Sequence, residues 1–362
     1  MAGSRAQDDS STLRERVARC ARRPAAGALT VALRASDRRL GLALCYHAVG
    51  EPCGRAGWAL VPSLGTRMFA AQLRHLRARY RLVAASELAE AIATRRRGER
   101  FPLAITFDDD LELHADETAR ILRGLGVPAT FYLGGATLDG ARPYFWQALQ
   151  AALDAGMSPA DPLLPRVPDP GGRGGAHRLA AAIRELEREE RDALCALLIE
   201  RAGGPPEAGL RAAEVRGLVD AGFEIGFHTR DHELLGRLDD EALRRALRDG
   251  RSQLEAVTGA PLRTIAYPFG IADGRVADAA RAAGFEAGFT LDARPVSEAG
   301  DPLLMGRYEP SFATAGHTAT NLARGLAAAV RAGAPSEGPG GRPLRVPAEA
   351  DTGARSVVAP PR

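Results

Sequence analysis

Two short polar motifs contain the residues of this chain that are best suited to chemistry. The first is a run of three aspartates, Asp108 to Asp110, directly after the apolar segment 102–107. The second contains His228 and His232, and His228 closes the apolar segment 223–228. Adjacent carboxylates repel one another unless a cation offsets their charge, and histidines at i and i+4 can converge on one ion. The two motifs together predict a site for a divalent metal.

The chemistry expected of such a site is hydrolysis. Two imidazoles and one carboxylate leave open positions around the ion for water and substrate, and the ion lowers the pKa of water from 15.7 to about 7. A second carboxylate can then take up the proton. Taken singly, a histidine pair is more often incidental and an acidic triplet is more often a helix cap or a solvated turn. Both motifs lie at predicted strand ends, however, and a third strand ends at Tyr267-Pro268-Phe269-Gly270, which favours a real site.

Short apolar segments and amphipathic patterns alternate along residues 39–332, and these elements must position the motifs. Strands are predicted at 40–46, 102–107, 129–133, 223–228, 262–267 and 285–290. Helices are predicted around Phe69, Leu73 and Leu76, after Ser86, and at 115–125, 210–221 and 275–283. This alternation predicts an α/β fold, a distorted (β/α) barrel of about seven units, with active residues at the carboxyl ends of its strands.

Three further segments interrupt or flank this pattern. Residues 145–205 are expected to form a helical insertion on the barrel, with one long helix and a Pro/Gly-rich loop at 162–175. Residues 1–38 are expected to be a flexible or partly helical leader, and residues 333–362 a disordered Pro/Gly-rich tail. The arginine run 95–97 is expected to be a solvated face.

Composition excludes several classes of function. All 48 basic residues of the 362-residue chain are arginine, so lysine chemistry such as a Walker motif or a Schiff base is excluded. A formal charge of +3 is small, and no nucleic-acid partner is expected. The four cysteines form no metal-binding pair and are expected to be buried free thiols. Neither a transmembrane segment nor a signal peptide is evident, so we expect a cytoplasmic protein, with peripheral membrane association as the alternative.

Motif order and spacing over about residues 40–310 resemble the polysaccharide deacetylases, which are carbohydrate esterase family 4 and share the nodulation-type deacetylase homology domain. Besides the two polar motifs, the resemblance includes Cys45-Tyr46-His47-Ala48-Val49, Gly126-Val127-Pro128-Ala129-Thr130-Phe131, Ala266-Tyr267-Pro268-Phe269-Gly270 and Ala283-Gly284-Phe285. The family fold is a distorted (β/α) barrel with fewer than eight complete units.

The resemblance implies a role for each motif residue. Asp108 would be the general base, and Asp109, His228 and His232 would be the metal ligands. The backbone N–H of Phe269 would hold the oxyanion. The implied reaction is attack of metal-activated water on an N-acetyl carbonyl, which releases acetate and a free amine. The cofactor would be a divalent metal, zinc or else cobalt or another divalent ion, and the substrate an N-acetylated sugar, glycan or glycolipid.

The chain also departs from the family pattern. Asp110 replaces the usual glycine, and Ala266 stands where many members have an arginine that orients the base. Arg307 is a candidate substitute for that arginine, with an exposed arginine beyond the last strand as the equal alternative. No Leu-x-His motif supplies the usual general acid.

Histidines outside the metal set are weaker candidates. His47, at the end of the first strand, is a candidate acid or substrate contact, and a structural histidine is the alternative. His114 is expected at the start of an outer helix, and His317 is expected to be exposed.

Two other functions remain open at this stage. The same fold and metal could hydrolyse another non-peptide C–N bond. A glycan-binding relative without turnover would fit the changes at Asp110 and Ala266 and the missing acid. The sequence gives no indication of the oligomeric state.

Overall fold

A computed structural model describes residues 22–50, 59–138, 140, 143–172, 174–206 and 209–332. Its centre is a mixed sheet of mostly parallel strands, curled into a half-barrel, and the predicted α/β barrel-type fold is confirmed. The strands are β1 (Leu40–Tyr46), β2 (Arg81–Val83), β3 (Pro102–Asp108), β4 (Thr130–Leu133), β5 (Glu224–Phe227), β6 (Thr264–Ala266), β7 (Ala287–Phe289) and β8 (Val296–Ser297). Their order is β7-β6-β5-β4-β3-β1-β8, with β2 also paired to β3, and only β8 is antiparallel to its neighbour.

Helices connect the strands and cover the outside of the sheet. They are α1 (22–33), α2 (Thr66–Arg79), α3 (Leu88–Ala93), α4 (Glu117–Leu125), α5 (Phe145–Asp154), α6 (Gly175–Arg184), α7 (Arg188–Arg201), α8 (Ala212–Asp220), α9 (Asp240–Ala246), α10 (Arg251–Thr258), α11 (Gly274–Ala282) and α12 (Ala315–Ala332). The six strands and five barrel helices predicted from sequence are all present, with ends shifted by a few residues. The strands β2 and β8 were missed because segments of two or three residues carry no readable period.

Both faces of the central strands are buried, which explains their continuous apolar sequences. Every residue of β1 and β3 is buried. On one face, Leu42 and Leu44 pack in the main core with Phe69 and Leu73 of α2. The opposite face of β1 carries a small residue, Ala43, in a second cluster that also contains Ala104, Ala266, Tyr132 and Phe289. The alanines on this inner face are small, so the larger side chains of Tyr132 and Phe289 fit inside the curled sheet.

The segment after β8 closes the gap between the two ends of the parallel part of the sheet. Met305 donates its N–H to Gly288 O at 2.9 Å, beside β7. Three residues later, Tyr308 donates to Ala43 O at 2.8 Å, and Cys45 donates to Tyr308 O at 2.9 Å, beside β1. Arg307 therefore lies between β7 and β1 and is fully buried. The alternative of an exposed arginine beyond the last strand is wrong.

The insertion differs from its prediction in one respect. The expected long helix is two helices, α6 and α7, separated by residues 185–187. Together with α5 they enclose a small core of their own, which includes Leu149, Leu179 and Leu198. The break lets α7 return against α5, so the insertion brings the start of α5 to the edge of the barrel.

Two other expectations need correction. Arg95 is not part of a solvated face, because it is buried and donates hydrogen bonds to backbone carbonyls, among them Arg38 O at 2.7 Å. His114 is not on the outer surface, because it is fully buried in the 3₁₀ turn Glu112–His114. In both cases a polar residue satisfies backbone groups inside the protein, which a surface-polarity argument cannot anticipate.

Parts of the chain flanking the barrel are only partly described. The leader prediction for residues 1–21 and the tail prediction for 333–362 lie outside the described residues, while 22–33 is helical. Of the cysteines, Cys20 and Cys53 also lie outside them, Cys45 is a buried free thiol and Cys195 is partly buried. Among the described helices, none has the length and apolar character needed to cross a membrane.

Candidate active site

The two polar motifs meet because their strands are close neighbours in the sheet. Strands β3, β4 and β5 are adjacent and parallel, so the residues after β3 and β5 emerge at the same edge. The backbone turns sharply at this edge. Four of the five non-glycine residues with positive φ in the described chain are Asp109, Thr229, His232 and Phe269. A left-handed conformation costs such residues about 1–2 kcal/mol each, and its concentration here is typical of functional sites.

Three side chains point their ligand atoms at a common centre. Nε2 of His228 lies 3.5 Å from Oδ1 of Asp109, and Nε2 of His232 lies 3.6 Å from the same oxygen. These distances are longer than hydrogen bonds, and Asp109 Oδ1 is buried with no hydrogen-bond partner in the described structure. A buried carboxylate oxygen left in this way is costly unless a cation occupies the space between the three groups.

Protonation also suits these residues to metal binding. His228 Nδ1 lies 2.8 Å from Ala266 O. The carbonyl can only accept, so Nδ1 carries a proton and Nε2 is the ring nitrogen that faces the centre. Burial lowers the pKa of His228, but the charges of Asp108 and Asp109 outweigh burial and raise it, so a cation at the centre would take the place of the Nε2 proton. Burial, together with the charge of His228, lowers the pKa of His232 to about 3, so His232 is neutral. The donor set therefore fits a divalent ion.

Asp108 is held beside this set by Arg307. The guanidinium makes two parallel bonds of 2.7 Å, from Nη1 to Oδ1 and from Nη2 to Oδ2. Burial raises the pKa of Asp108, but Arg307 outweighs that effect and keeps the pKa well below its ordinary value. Asp108 is therefore a carboxylate at any physiological pH. Arg307 reaches Asp108 from the segment after β8, so the arginine predicted as a candidate substitute does contact the predicted base.

Two further groups fix the position of Asp108. The Cys45 thiol donates to Oδ2 at 3.3 Å. Behind the strand end, His114 Nε2 lies 3.0 Å from the backbone oxygen of Asp108. Oδ2 accepts from both Arg307 Nη2 and Cys45 Sγ, whereas Oδ1 accepts only from Arg307 Nη1. The remaining lone pair of the carboxylate is therefore on Oδ1. Sequence reasoning missed Cys45, because its approach to Asp108 depends on the pairing of β1 with β3.

Asp110, which replaces the family's glycine, points away from the metal set. Its Oδ1 accepts the N–H groups of Gly134 and Gly135 at 3.1 and 3.2 Å, and its Oδ2 accepts the Tyr144 hydroxyl at 3.2 Å. Burial raises its pKa to about 6. A Cβ at Gly134 would lie 2.6 Å from Thr229 O, so this crowded turn needs glycine. Asp110 thus ties the end of β3 to the end of β4 and to the residue before α5.

Aromatic side chains next to Tyr144 pack against the candidate metal ligand His232. The Tyr144 ring stacks on Trp146 at 4.4 Å, and Trp146 contacts the His232 ring edge to face at 4.7 Å. Phe269 packs edge to face against His232 at 4.4 Å and against Trp146 at 6.2 Å. Trp146 is buried beside a predicted metal ligand and holds that imidazole in orientation.

His47 and His317 are the remaining candidate histidines. His47 is partly exposed at the mouth of the site, with Nδ1 4.0 Å from Cys45 Sγ. His317 lies at the start of α12 with Thr314 Oγ1 at 2.8 Å, among residues that take no part in the site. The roles of His47 and of the Phe269 N–H stay predictions.

Comparisons with known proteins give one family match and several structural matches. Residues 180–288 match the polysaccharide deacetylase family model, a segment that contains His228 and His232 but not the aspartates of β3. A search of curated proteins finds no significant match.

Solved structures extend the likeness to most of the chain. A polysaccharide deacetylase of Bacillus cereus is 18% identical, with a TM-score of 0.52 over 80% of this chain and 69% of that one. The deacetylase PplD of Streptococcus pyogenes is 14% identical, with a TM-score of 0.54 over 79% and 98%. IcaB of Ammonifex degensii is 18% identical, with a TM-score of 0.51 over 78% and 97%. The matched family segment and the shared fold make this chain similar to polysaccharide deacetylases.

Proposed function

We propose that this protein is a metal-dependent hydrolase that removes acetyl groups from N-acetylated sugars or glycans. The observation that carries the proposal is the buried, unpartnered Oδ1 of Asp109 facing the Nε2 atoms of two imidazoles, beside a carboxylate that Arg307 holds ionised. A module that only binds glycans has no need of that second carboxylate. Metal dependence, metal identity and the substrate belong to the proposal.

Each residue has a defined part in the proposed reaction. Asp109, His228 and His232 would hold a divalent ion, which supplies a Lewis acid that lowers the pKa of water and polarises a carbonyl. Asp108 accepts the water proton on Oδ1, whose lone pair is free. Arg307 keeps that carboxylate ionised and fixes its plane.

The later part of the reaction needs an oxyanion donor and an acid. The backbone N–H of Phe269 would stabilise the oxyanion as water adds to the N-acetyl carbonyl. The C–N bond then breaks, acetate leaves, and the amine nitrogen takes a proton. We assign that proton transfer to His47, because it is partly exposed and has a ring nitrogen within 4.8 Å of an Asp108 carboxylate oxygen.

The test is acetate release from N-acetylated chito-oligosaccharides and from simple N-acetyl sugars. Metal-stripped protein should be inactive and should recover with zinc or cobalt. Asp108→Asn should lower kcat by at least about 10²-fold, in the range expected for loss of a general base. The matched control is Asp278→Asn, the same chemical change at a largely exposed residue, which should leave kcat unchanged.

Two results would favour other functions. Hydrolysis of a non-sugar amide with the same metal and Asp108 dependence, and none of N-acetyl sugars, would assign the site to another C–N bond. Glycan binding without acetate release under any metal would reject the enzyme.

A further inference from the structure

A second group of potential metal ligands lies beside the catalytic set. Cys45 Sγ, a ring nitrogen of His47 and a carboxylate oxygen of Asp108 all lie within 4.8 Å of one another. The group exists because β1 and β3 are parallel neighbours, with Cys45 opposite Thr106 and Tyr46 opposite Phe107. Residues 45 and 47 share one face of the β1 strand end, and Asp108 lies across from them.

The spacing of these atoms suits one small ion. Cys45 Sγ is 3.3 Å from Asp108 Oδ2 and 4.0 Å from His47 Nδ1. A zinc–sulfur bond of about 2.3 Å and a zinc–oxygen bond of about 2.0–2.2 Å, at a tetrahedral angle, separate sulfur and oxygen by about 3.5 Å. An ion could therefore replace the thiol proton that now bridges Sγ and Oδ2 with only small movements of the ligands. Because His47 is partly exposed, an ion could reach these ligands from solvent.

The ligand types select the class of metal. Sulfur, imidazole nitrogen and one carboxylate oxygen favour soft or borderline ions such as zinc and cadmium over magnesium or calcium. Two features weaken the site. Arg307 places a positive charge on Asp108, and the buried thiol must lose its proton before it binds. The Asp109 set has neither disadvantage, so it should fill first.

We propose that Cys45, His47 and Asp108 form a second, weaker site for a thiophilic divalent ion, and that its occupation inhibits the protein. An ion bound to Oδ2 lowers the basicity of the Asp108 carboxylate, whose Oδ1 is the proposed proton acceptor, and holds His47 as a ligand. Binding does not depend on the proposed deacetylase activity. Inhibition rests on it, because the occupied groups are the proposed base and proton donor.

Cadmium titration of the full chain tests binding directly. A thiolate bound to cadmium gives an ultraviolet charge-transfer band, which the thiol-free Asp109 set cannot give. Because other cysteines could also bind cadmium, the protein is compared in a background in which Cys20, Cys53 and Cys195 are serine. Cys45 is then the only thiol.

Three results are expected. The band should appear with the second equivalent of cadmium, Cys45→Ser in the same background should abolish it, and His47→Gln should weaken the affinity at least about tenfold. Asp109→Asn should lose one equivalent of metal and keep the band. Absence of the band with Cys45 present, or its persistence in the Cys45→Ser protein, would overturn the site.

Acetate release separates this inference from the proposed function. In the active enzyme, excess zinc should inhibit, and Cys45→Ser should raise the half-inhibitory zinc concentration at least about tenfold relative to its own uninhibited rate. A charge-transfer band without zinc inhibition would reject the inhibitory role. A band in a protein that deacetylates nothing would keep the second site and reject the proposed function.

Discussion

The buried pair of Asp108 and Arg307 makes a prediction that needs no substrate. Both side chains are almost completely inaccessible to solvent, at 3% and 0% exposure, and the pair is bidentate. Removal of one partner from a buried pair leaves an uncompensated charge and costs about 3–5 kcal/mol, whereas removal of both is often nearly neutral. Arg307→Met and Asp108→Asn should therefore each destabilise the protein by about that amount.

The double variant decides whether the two charges are coupled. If each substitution acts by stranding the other charge, the Asp108→Asn/Arg307→Met protein should be at least about 3 kcal/mol more stable than the sum of the two single effects predicts. Arg307→Lys should lie between wild type and Arg307→Met, since it keeps the charge and loses the paired geometry. For a domain of this size each single change corresponds to a fall in Tm of about 6–20 °C.

Chemical unfolding in the presence of a chelator provides the assay, because bound metal would otherwise add its own stability. The matched control is Arg95→Met. Arg95 is also buried, but its guanidinium donates to backbone carbonyls such as Ser36 O and Arg38 O. Its effect should add to that of Asp108→Asn within about 0.5 kcal/mol. If the effect of Arg307→Met adds to that of Asp108→Asn as closely as the effect of Arg95→Met does, the assignment of Arg307 as the partner of the base is refuted.

Three shorter predictions concern the rest of the site and the fold. Zinc at 100 times its Kd should stabilise the metal-free protein by about 2.7 kcal/mol, and an Asp109→Asn protein that is stabilised equally would place the ion elsewhere. Asp110→Gly removes the partner of the Tyr144 hydroxyl and should lower the free energy of unfolding by about 1–3 kcal/mol. It should raise KM more than it lowers kcat. Improved turnover would instead mean that Asp110 disturbs the base. Burial and, to a smaller extent, the positive charges of Arg23 and Arg79 lower the pKa of His75 to about 4. The unfolded chain therefore binds more protons than the folded protein, and stability should fall as the pH drops from about 6.5 toward 4. The Tm of His75→Gln should fall less steeply over this pH range, and parallel curves would show that His75 is not the group responsible.

The sequence by itself determined the elements and the candidate metal ligands. Apolar segments of strand length, separated by amphipathic helical patterns, lead to a sheet of parallel strands, and in such a sheet residues after successive strands emerge at one edge. Asp109 and His228 could therefore be placed near each other without coordinates. His232 followed from its spacing, since i and i+4 are close along the chain.

Tertiary structure decided what surrounds that triad. Arg307 reaches Asp108 because the closing segment pairs with β7 on one side and β1 on the other, and pairing over 199 residues of sequence separation leaves no local pattern. The roles of Asp110 and Trp146 depend on how the insertion folds back on the barrel. Cys45, His47 and Asp108 form a group only through the register of β1 against β3, a property of hydrogen bonds between strands rather than of either strand alone.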